Sequence, residues 1–384
     1  MRNKILLVLT MLMTSLVLTG CWDSVEINER HVILDLAIDK YNGDNSDEDM
    51  GTRVGYEVTY MIPDIAKLSG ESSLAEDVKT AMVVKSPTLS KSIDDAEAKT
   101  QNTLTFTHTK ALIFGEDLIR DRKLFKAAID SLIRSNEIGK GTNLLVALGK
   151  ASDISKSNNY QNPITGLYIM KYFNNSERSS SYAKQQVLGE LVKEINDTGV
   201  STIPVIKKSE ESILNIEGAA VIKDYEFIDW LDKDEVRGLL FIDGSIESVP
   251  IIVKYQDQEL TYQIEKEKSS IRFDEENEPK AIIDIIVKGN IIDYVSSNEK
   301  NTFSEEKIND IARLIQQEVN TQVKRTIDKS QGINTDFIGV GLQMYRQCPK
   351  LWDKYSNHWN NGKYKDVPIE LNTKVVIDNT GTLE

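Results

Sequence analysis

Apolar positions in the first half of the chain change repeatedly between the period of a strand and the period of a helix. Between residues 53 and 61, tyrosines and valines occupy every second position, which is typical of a strand with one buried face. Between residues 118 and 134, apolar side chains return every three or four positions, as in an amphipathic helix. This alternation argues for an α/β or α+β arrangement in the first half of the chain. The predicted strands are 32–39, 53–61, 105–114 and 143–149, and the predicted helices are 118–134, 182–196 and a segment that starts at Ser90.

The second half of the chain has a different pattern, in which short strands precede one long helix. Short apolar runs dominate residues 213–273, and a long apolar strand follows at 281–293. Ser304 is expected to cap the next helix, because two glutamates follow it and Ile and Val then recur at helical spacing. A closing strand is predicted at 367–378. The changes of pattern place domain boundaries near residues 205 and 278.

The first twenty residues have the layout of a secretory signal peptide. Arg2 and Lys4 form a short cationic start, and an apolar stretch runs from Ile5 to Thr19. A spanning helix is the competing interpretation, but it needs about 20 apolar residues and this stretch is shorter. We therefore expect residues 1–20 to be removed.

The border of this stretch, Leu18-Thr19-Gly20-Cys21, resembles the bacterial lipobox, in which small residues precede a cysteine that is diacylglycerylated on sulfur and becomes the new N-terminus. Two acyl chains suffice for stable membrane anchoring, whereas one is marginal. The resemblance predicts Cys21 as a lipidation site. In the alternative, an ordinary signal peptidase releases a secreted protein and Cys21 has no special role.

The predicted class is α+β, with three mixed α/β domains in series after a cleaved lipoprotein signal peptide. The predicted division is a signal peptide at 1–20, an N-terminal α/β domain at 21–205, a small β-rich middle domain at 206–278, and a C-terminal α+β domain at 279–384 with a long amphipathic helix.

The charge balance excludes several classes of partner. Lys and Arg total 46 against 60 Asp and Glu, which gives a formal net charge of −14, and loss of residues 1–20 leaves −16. An acidic protein repels nucleic acid and does not adhere electrostatically to anionic lipid. Cys21 and Cys348 are the two cysteines, so a lipidated Cys21 leaves no intramolecular disulfide. Cys348 is expected to be a small buried apolar residue.

The sequence offers no catalytic or metal-binding constellation. Its three histidines, His31, His108 and His358, have no metal-ligand spacing to one another or to cysteine, and neither HExxH nor GxSxG occurs. His108 is interpreted as a structural histidine on a strand surface. The acidic segment 42–51 lacks the glycine and glutamate positions of a calcium loop and is interpreted as a solvated hairpin loop. The prediction is a protein that is not an enzyme and has no cofactor and no metal.

An aromatic run near the C-terminus has helical spacing. Leu351, Trp352, Tyr355 and Trp359 belong to one predicted face. Trp352, Tyr355 and Trp359 are a possible partner surface, because aromatic side chains are enriched at interfaces. Core packing is the other interpretation, since Trp and Tyr bury large areas in any small domain.

Several segments together resemble the Ger(x)C family of spore germination lipoproteins over essentially the whole mature chain. They are GCWDSVEINERHVILDLAID, FTHTKALIFGEDL, EGAAVIKDYEFIDWLDKDEVRGLLFIDG and DFIGVGLQMYRQCPKLWDKYSNHW. One departure is Arg134-Ser135-Asn136, where the family has Arg-Asp. The matching positions are Cys21, Trp22, Asp23, Glu26, Ile27, Ile38, Asp39, His108, Lys110, Phe114, Gly115, Glu116, Asp336, Phe337, Gly339, Gly341, Pro349, Trp352 and Trp359.

The resemblance implies a non-enzymatic, three-domain C-type subunit of a nutrient germinant receptor. Lipid would anchor it to the outer face of the spore inner membrane, beside A-type and B-type integral membrane subunits, the latter akin to amino-acid transporters. Two alternatives remain open on the residues alone, a solute-binding lipoprotein of a transport system and an exported hydrolase.

Overall fold

The computed structural model describes most of the mature chain. The described residues are 30–43, 54–64, 78–159, 161–175, 182–209, 213–256, 258–274, 278–294 and 304–379, with the single positions 5 and 67. Cys21, the predicted signal peptide apart from position 5, and most of the predicted acidic loop lie outside them. No helix in the described part is long and apolar enough to cross a membrane.

The described residues form fourteen strands and ten α-helices. The strands are β1 Arg30–Val32, β2 Asp35–Tyr41, β3 Gly55–Pro63, β4 Lys79–Ser86, β5 Thr103–Thr105, β6 Ala111–Gly115, β7 Asn143–Ala147, β8 Val200–Lys208, β9 Leu214–Lys223, β10 Glu226–Leu231, β11 Pro250–Tyr255, β12 Gln258–Asp274, β13 Lys280–Tyr294 and β14 Ile369–Asn379. The helices are α1 Leu89–Glu97, α2 Glu116–Ile119, α3 Arg122–Arg134, α4 Ala151–Ser155, α5 Thr165–Asn174, α6 Leu188–Thr198, α7 Lys233–Asp243, α8 Glu305–Gly332, α9 Val340–Gln347 and α10 Pro349–Tyr355. Short 3₁₀ helices cover Ser356–Asn361 and Tyr364–Asp366.

The first sheet has eight strands in the order β10-β9-β8-β7-β6-β2-β3-β4. Its middle strands β2, β6, β7 and β8 run parallel, and antiparallel pairs extend it at both sides. Every residue of β6 and β7 is buried, as expected for parallel strands covered on both faces. Phe114 of β6 packs into the core on one face with Phe125 of α3, and Ile113 packs on the other face with Tyr168 of α5.

The second sheet has four strands in the order β11-β12-β13-β14, of which β13 and β14 run parallel. The long helix α8 packs against β11 and β14 and against α7. Its apolar stripe is buried, and its start is fixed by Ser304, whose side chain accepts a hydrogen bond from the backbone N–H of Lys307. The predicted long helix and its cap are therefore confirmed.

The α+β class is confirmed, but the sheets divide the chain differently from the predicted domains. Within 206–278, strands β9 and β10 belong to the first sheet and β11 and β12 to the second. Strand β8 runs through the predicted boundary at 205, and β12 and β13 pair on either side of the boundary at 278. In the described residues the segment 206–278 does not form a sheet of its own. The physical reason is that strand periodicity shows which face of a strand is buried but not which strand it will pair with.

Two further predictions are corrected at the level of single elements. The predicted strand 105–114 is two strands, β5 and β6, with a turn between them, and His108 lies exposed in that turn rather than on a strand surface. The predicted helix 118–134 is also divided, because α2 ends at Ile119 and the side chain of Asp121 caps α3 by accepting from the N–H of Leu124. Helix α6 begins at Leu188, later than expected.

The packing of α7 on α8 predicts an unusual effect for a glycine substitution. A Cβ on Gly238 would lie 2.5 Å from the carbonyl oxygen of Gln322 and would collide with the hydroxyl of Thr326. Gly238→Ala should therefore lower the free energy of unfolding by about 1–3 kcal/mol, although alanine is the better helix former. Denaturant unfolding followed by circular dichroism measures this.

Gly332→Ala is the matched control, because a Cβ there has no neighbour within 4 Å. This variant should leave stability unchanged or slightly increased. Equal effects of the two substitutions would contradict the close packing of the two helices.

Candidate functional site at the junction of the two sheets

The loop between α8 and α9 is organised by one buried carboxylate. Asp336 is 7% exposed and accepts hydrogen bonds from the backbone N–H groups of Val340 at 2.9 Å and Gly341 at 2.5 Å. It also accepts one from the indole N–H of Trp359 at 2.9 Å. Burial raises the pKa of Asp336, and the three donors oppose that shift because they favour the ionised form. The side chain therefore caps α9 and fixes the aromatic residue that follows α10.

The local structure requires glycine at both positions of the Gly-x-Gly segment, Gly339 and Gly341. Gly339 has φ = +80° at the residue before α9, a conformation that side-chain-bearing residues rarely adopt. A Cβ on Gly341 would lie 2.5 Å from the indole nitrogen of Trp359 and 3.0 Å from a carboxylate oxygen of Asp336. The segment therefore lets helix, carboxylate and indole approach one another closely.

Of the three residues of the possible partner surface, Trp359 lies in the core, as the other interpretation of the aromatic run expects. Trp359 is 2% exposed and belongs to the core of the second sheet, with its ring centroid 5.6 Å from those of Trp352 and Tyr364. Trp352 and Tyr355 are half-buried and pack against the same core. Helical spacing placed the three on one face, but α10 ends at Tyr355 and a 3₁₀ helix follows, which changes the direction of the later side chain.

A cavity of about 110 Å³ lies beside this cluster. It is bounded on one side by the end of α6, which belongs to the first unit, the eight-stranded sheet with its helices. On the other side lie α9, α10 and the indole of Trp359, which belong to the second unit, the four-stranded sheet with its helices. A polar groove of about 290 Å³ adjoins it and shares four lining residues with it. The residues that line the cavity are Asp197, Thr198, Asp336, Gly341, Leu342, Tyr345, Trp352 and Trp359.

Ion pairs connect α7 and the preceding strand β10 to both units. Lys184 pairs with Asp243 at 2.6 Å, and Lys329 of α8 pairs with Asp229 of β10 at 2.7 Å. Arg325 of α8 contacts the carboxylate of Asp232, the residue that caps α7. The groups are partly exposed, so each pair contributes at most about 1 kcal/mol and acts mainly to fix orientation. Apolar side chains of β8 and β9 share one core with the second sheet, which joins the units more strongly.

Glu267 of β12 is a carboxyl held in an unfavourable position near this junction. One of its oxygens accepts from the backbone N–H of Ile246 at 3.1 Å, and its other oxygen is buried. Burial, with a smaller contribution from the nearby charge of Asp243, raises its pKa to about 8, although the hydrogen bond from Ile246 opposes the shift. The side chain is therefore largely protonated at neutral pH.

The motif positions of the first unit form a second set of buried contacts. Asp39 at the end of β2 accepts from the N–H groups of Ala151 at 2.7 Å and Ser152 at 2.9 Å, which start α4. A Cβ on Gly115 would collide with the Asp39 carboxylate, so the glycine makes room for it. Glu116 accepts from the N–H of Gly149 at 3.3 Å. These three motif residues thus connect β2, β6 and the loop after β7.

Asp35, at the other end of β2, is also buried and fully engaged. It accepts from the N–H of Gly166 at 3.0 Å and from the hydroxyl of Ser155. Burial raises its pKa to about 6. Lys79, whose pKa burial lowers to about 8, lies nearby and donates to the carbonyls of Ser155 and Ser157. Asp35 was not predicted as a site residue, and Asp39 and Asp336 were predicted only as motif positions. The donors that Asp35 and Asp39 bind lie more than 100 residues away, and the indole that Asp336 binds lies 23 residues away.

The remaining candidate residues are dispersed. Cys348 is half-buried against the core of the second unit. His31 lies in β1, far along the chain from the exposed His108 and from His358 in a 3₁₀ helix. Across the ranges that the structure describes, no three His, Cys, Asp or Glu side chains are placed to hold a metal ion.

The chain matches two family models and several relatives over most of its length. Residues 23–208 match the family model described as spore germination protein N-terminal domain, and residues 217–381 match that described as spore germination B3/GerAC like, C-terminal. The chain is 24% identical to spore germination protein B3 of Bacillus subtilis (strain 168) over 376 residues, covering 96% of both chains. It is 22% identical to spore germination protein A3 of the same organism, covering 98% of both.

The fold is also that of a solved structure. The crystal structure of the GerBC protein superposes with a TM-score of 0.60 at 18% sequence identity, over 90% of this chain and 97% of that one. The two family models together cover most of the chain and define a member of a spore germination protein family. The chain belongs to the Ger(x)C family.

The raised pKa of Glu267 predicts how the free energy of unfolding depends on pH. Because its pKa is higher in the folded chain than the ordinary value of 4.5, the folded state binds this proton more tightly than the unfolded state. The free energy of unfolding should then fall as the pH rises from 4.5 to about 8. Glu267→Gln should remove this loss, on the order of 2–4 kcal/mol at pH 8, since one pKa unit is about 1.4 kcal/mol.

Urea unfolding at pH 5 and pH 8 measures the difference between variant and wild type. Glu259→Gln, an exposed position on the same strand, is the control and should follow the wild type at both values. An equal pH dependence in wild type and Glu267→Gln would show that Glu267 is ionised in the folded chain.

Proposed function

We propose that this protein is a lipid-anchored, non-enzymatic C-type subunit of a spore germinant receptor complex, needed for the response to nutrient germinants. The observation that carries the proposal is the end-to-end correspondence with spore germination proteins B3 and A3. The buried carboxylates support a scaffold role, because Asp35, Asp39 and Asp336 each accept backbone N–H bonds that position helices.

Attachment through Cys21 is supported by the lipobox resemblance and by charge. A mature chain with a formal charge of −16 gains nothing from electrostatic contact with an anionic bilayer, so attachment requires an apolar group. Eight residues separate Cys21 from Arg30, where β1 begins, and such a segment spans at most about 30 Å. The folded units would therefore stay close to the outer face of the spore inner membrane.

Confinement to a membrane surface explains why weak contacts with partners would suffice. A tethered protein meets A-type and B-type membrane subunits at an effective concentration far above its average concentration, so modest interfaces give stable complexes. The half-buried Trp352 and Tyr355 remain candidates for such a contact, whereas Trp359 is withdrawn from the surface.

The alternatives have less support. A solute-binding lipoprotein closes two similar lobes around its ligand, whereas the two sheets here have eight and four strands and different connections. An exported hydrolase would use its carboxylates on a substrate, whereas Asp39 and Asp336 are occupied by backbone N–H groups.

Replacement of the lipidated residue tests the anchor. Wild-type protein expressed with a radiolabelled fatty acid should incorporate label and sediment with membranes, and Cys21→Ala should lose both properties, since the thioether sulfur is gone. Cys348→Ala is the matched control and should retain them. Equal incorporation by wild type and Cys21→Ala would contradict the lipoprotein assignment.

The role of the anchor in assembly has a separate readout. Co-purification of A-type and B-type subunits with the Cys21→Ala protein should fall at least about tenfold if membrane confinement supplies the effective concentration. Wild-type recovery of both subunits would contradict this role and leave the family assignment intact.

A further inference from the structure

The cavity between the first and second units has the size and walls of a ligand site. Its volume is about 110 Å³, and apolar cavities of about 150 Å³ bind a molecule as large as benzene. It is therefore large enough for a compact group of about four or five non-hydrogen atoms. The adjoining groove would leave room for the rest of a longer molecule.

Three aromatic side chains contribute to the wall. Tyr345 is 58% exposed, Trp352 is half-buried and Trp359 is buried, so aromatic surface runs from the mouth of the cavity to its interior. The faces of such rings carry negative charge and attract organic cations, most strongly where water is excluded. The wall itself therefore favours a cation over an anion.

The carboxylate of Asp336 adds a buried negative charge that has no cation beside it. Its three partners are all N–H donors, which is the pattern of an ionised carboxylate. In the part of the chain that the structure describes, no Lys or Arg forms an ion pair with it. Buried charges in proteins are normally paired, so a cation in the cavity would supply the missing counter-charge.

Asp197 reinforces this preference at the opposite wall. It is exposed in the last turn of α6, a turn without a basic residue. The unpaired carbonyls of a helix C-terminus repel an anion and favour a cation. A positively charged ligand in the cavity would lie close to both carboxylates and would relieve the unfavourable position of Asp197.

We propose that this cavity binds the head group of a small organic ammonium ion, with Asp197 and Asp336 supplying charge and Tyr345, Trp352 and Trp359 supplying aromatic surface. A metal ion fits poorly, because hard cations need several converging oxygen ligands and this wall is largely aromatic and aliphatic. The inference is independent of the lipid anchor and of the membrane partners.

Choline and 3,3-dimethylbutan-1-ol are the probes, because they have nearly the same shape and differ in charge. Saturation-transfer NMR and calorimetry on the full-length protein in detergent should detect choline binding at least about tenfold tighter than binding of the neutral alcohol, which corresponds to about 1.4 kcal/mol. Methylammonium, a second arm, shows whether a primary ammonium is also accepted, and acetate should not bind in the cavity.

Variants at exposed positions keep the test separate from folding. Asp197→Asn and Tyr345→Leu should each weaken choline binding about fivefold or more with unchanged thermal unfolding, since the side chains are exposed and outside the core. Asp328→Asn, an exposed aspartate near the end of α8 that does not line the cavity, is the control and should bind as the wild type does.

Three results would overturn the proposal. They are no detectable choline binding by the wild-type protein, equal binding of choline and its neutral isostere, and wild-type choline binding by both the Asp197→Asn and Tyr345→Leu variants. None of these results bears on membrane attachment or on assembly, so failure here is distinguishable from failure of the proposed function.

Discussion

The carboxylate of Asp336 is the acceptor on which the junction of this protein depends. It lies between the end of the long helix α8 and the start of α9, and it holds two backbone N–H groups and the indole of Trp359. Removing such an acceptor from a buried position leaves its donors without partners, at about 1–3 kcal/mol for each group. Helix α9, the aromatic cluster and the cavity wall are all positioned by this one side chain.

The same interaction, a buried carboxylate that accepts from backbone N–H groups, occurs in the first unit, where Asp39 and Asp35 position the starts of α4 and α5. A carboxylate inside a protein is unfavourable unless donors surround it, and each of these is surrounded by the helix it positions. The neighbouring glycines follow from this arrangement. Gly115 makes room for Asp39, and Gly341 makes room for Asp336 and Trp359. The motif residues Asp39, Gly115, Asp336 and Gly341 are therefore explained as connections between elements.

Local patterns predicted much of the fold. Ser304 caps α8 as its sequence indicates, and the apolar stripe of that helix is its buried face. Partner choice was not predictable, because β9 and β11 have similar strand patterns and join different sheets. Spacing alone could not decide between a partner surface and core packing for Trp359 for a related reason, since spacing describes a face and not what covers it. Asp336 had only a weak signal, the Gly-x-Gly that follows it, because its indole partner is 23 residues away.

Strand β2 has a mechanical consequence for a protein held by its N-terminal end. A pull directed through residues 21–29 would enter the fold at β1 and reach β2, which is hydrogen-bonded on one side to β3 and on the other to β6. Extracting an interior strand along its length requires both ladders to slide at once, whereas an edge strand can be unzipped one bond at a time. If the proposed attachment at Cys21 holds, the tether is joined to a shear-resistant part of the sheet, and tension at the bilayer would displace the whole body before it unravelled the chain.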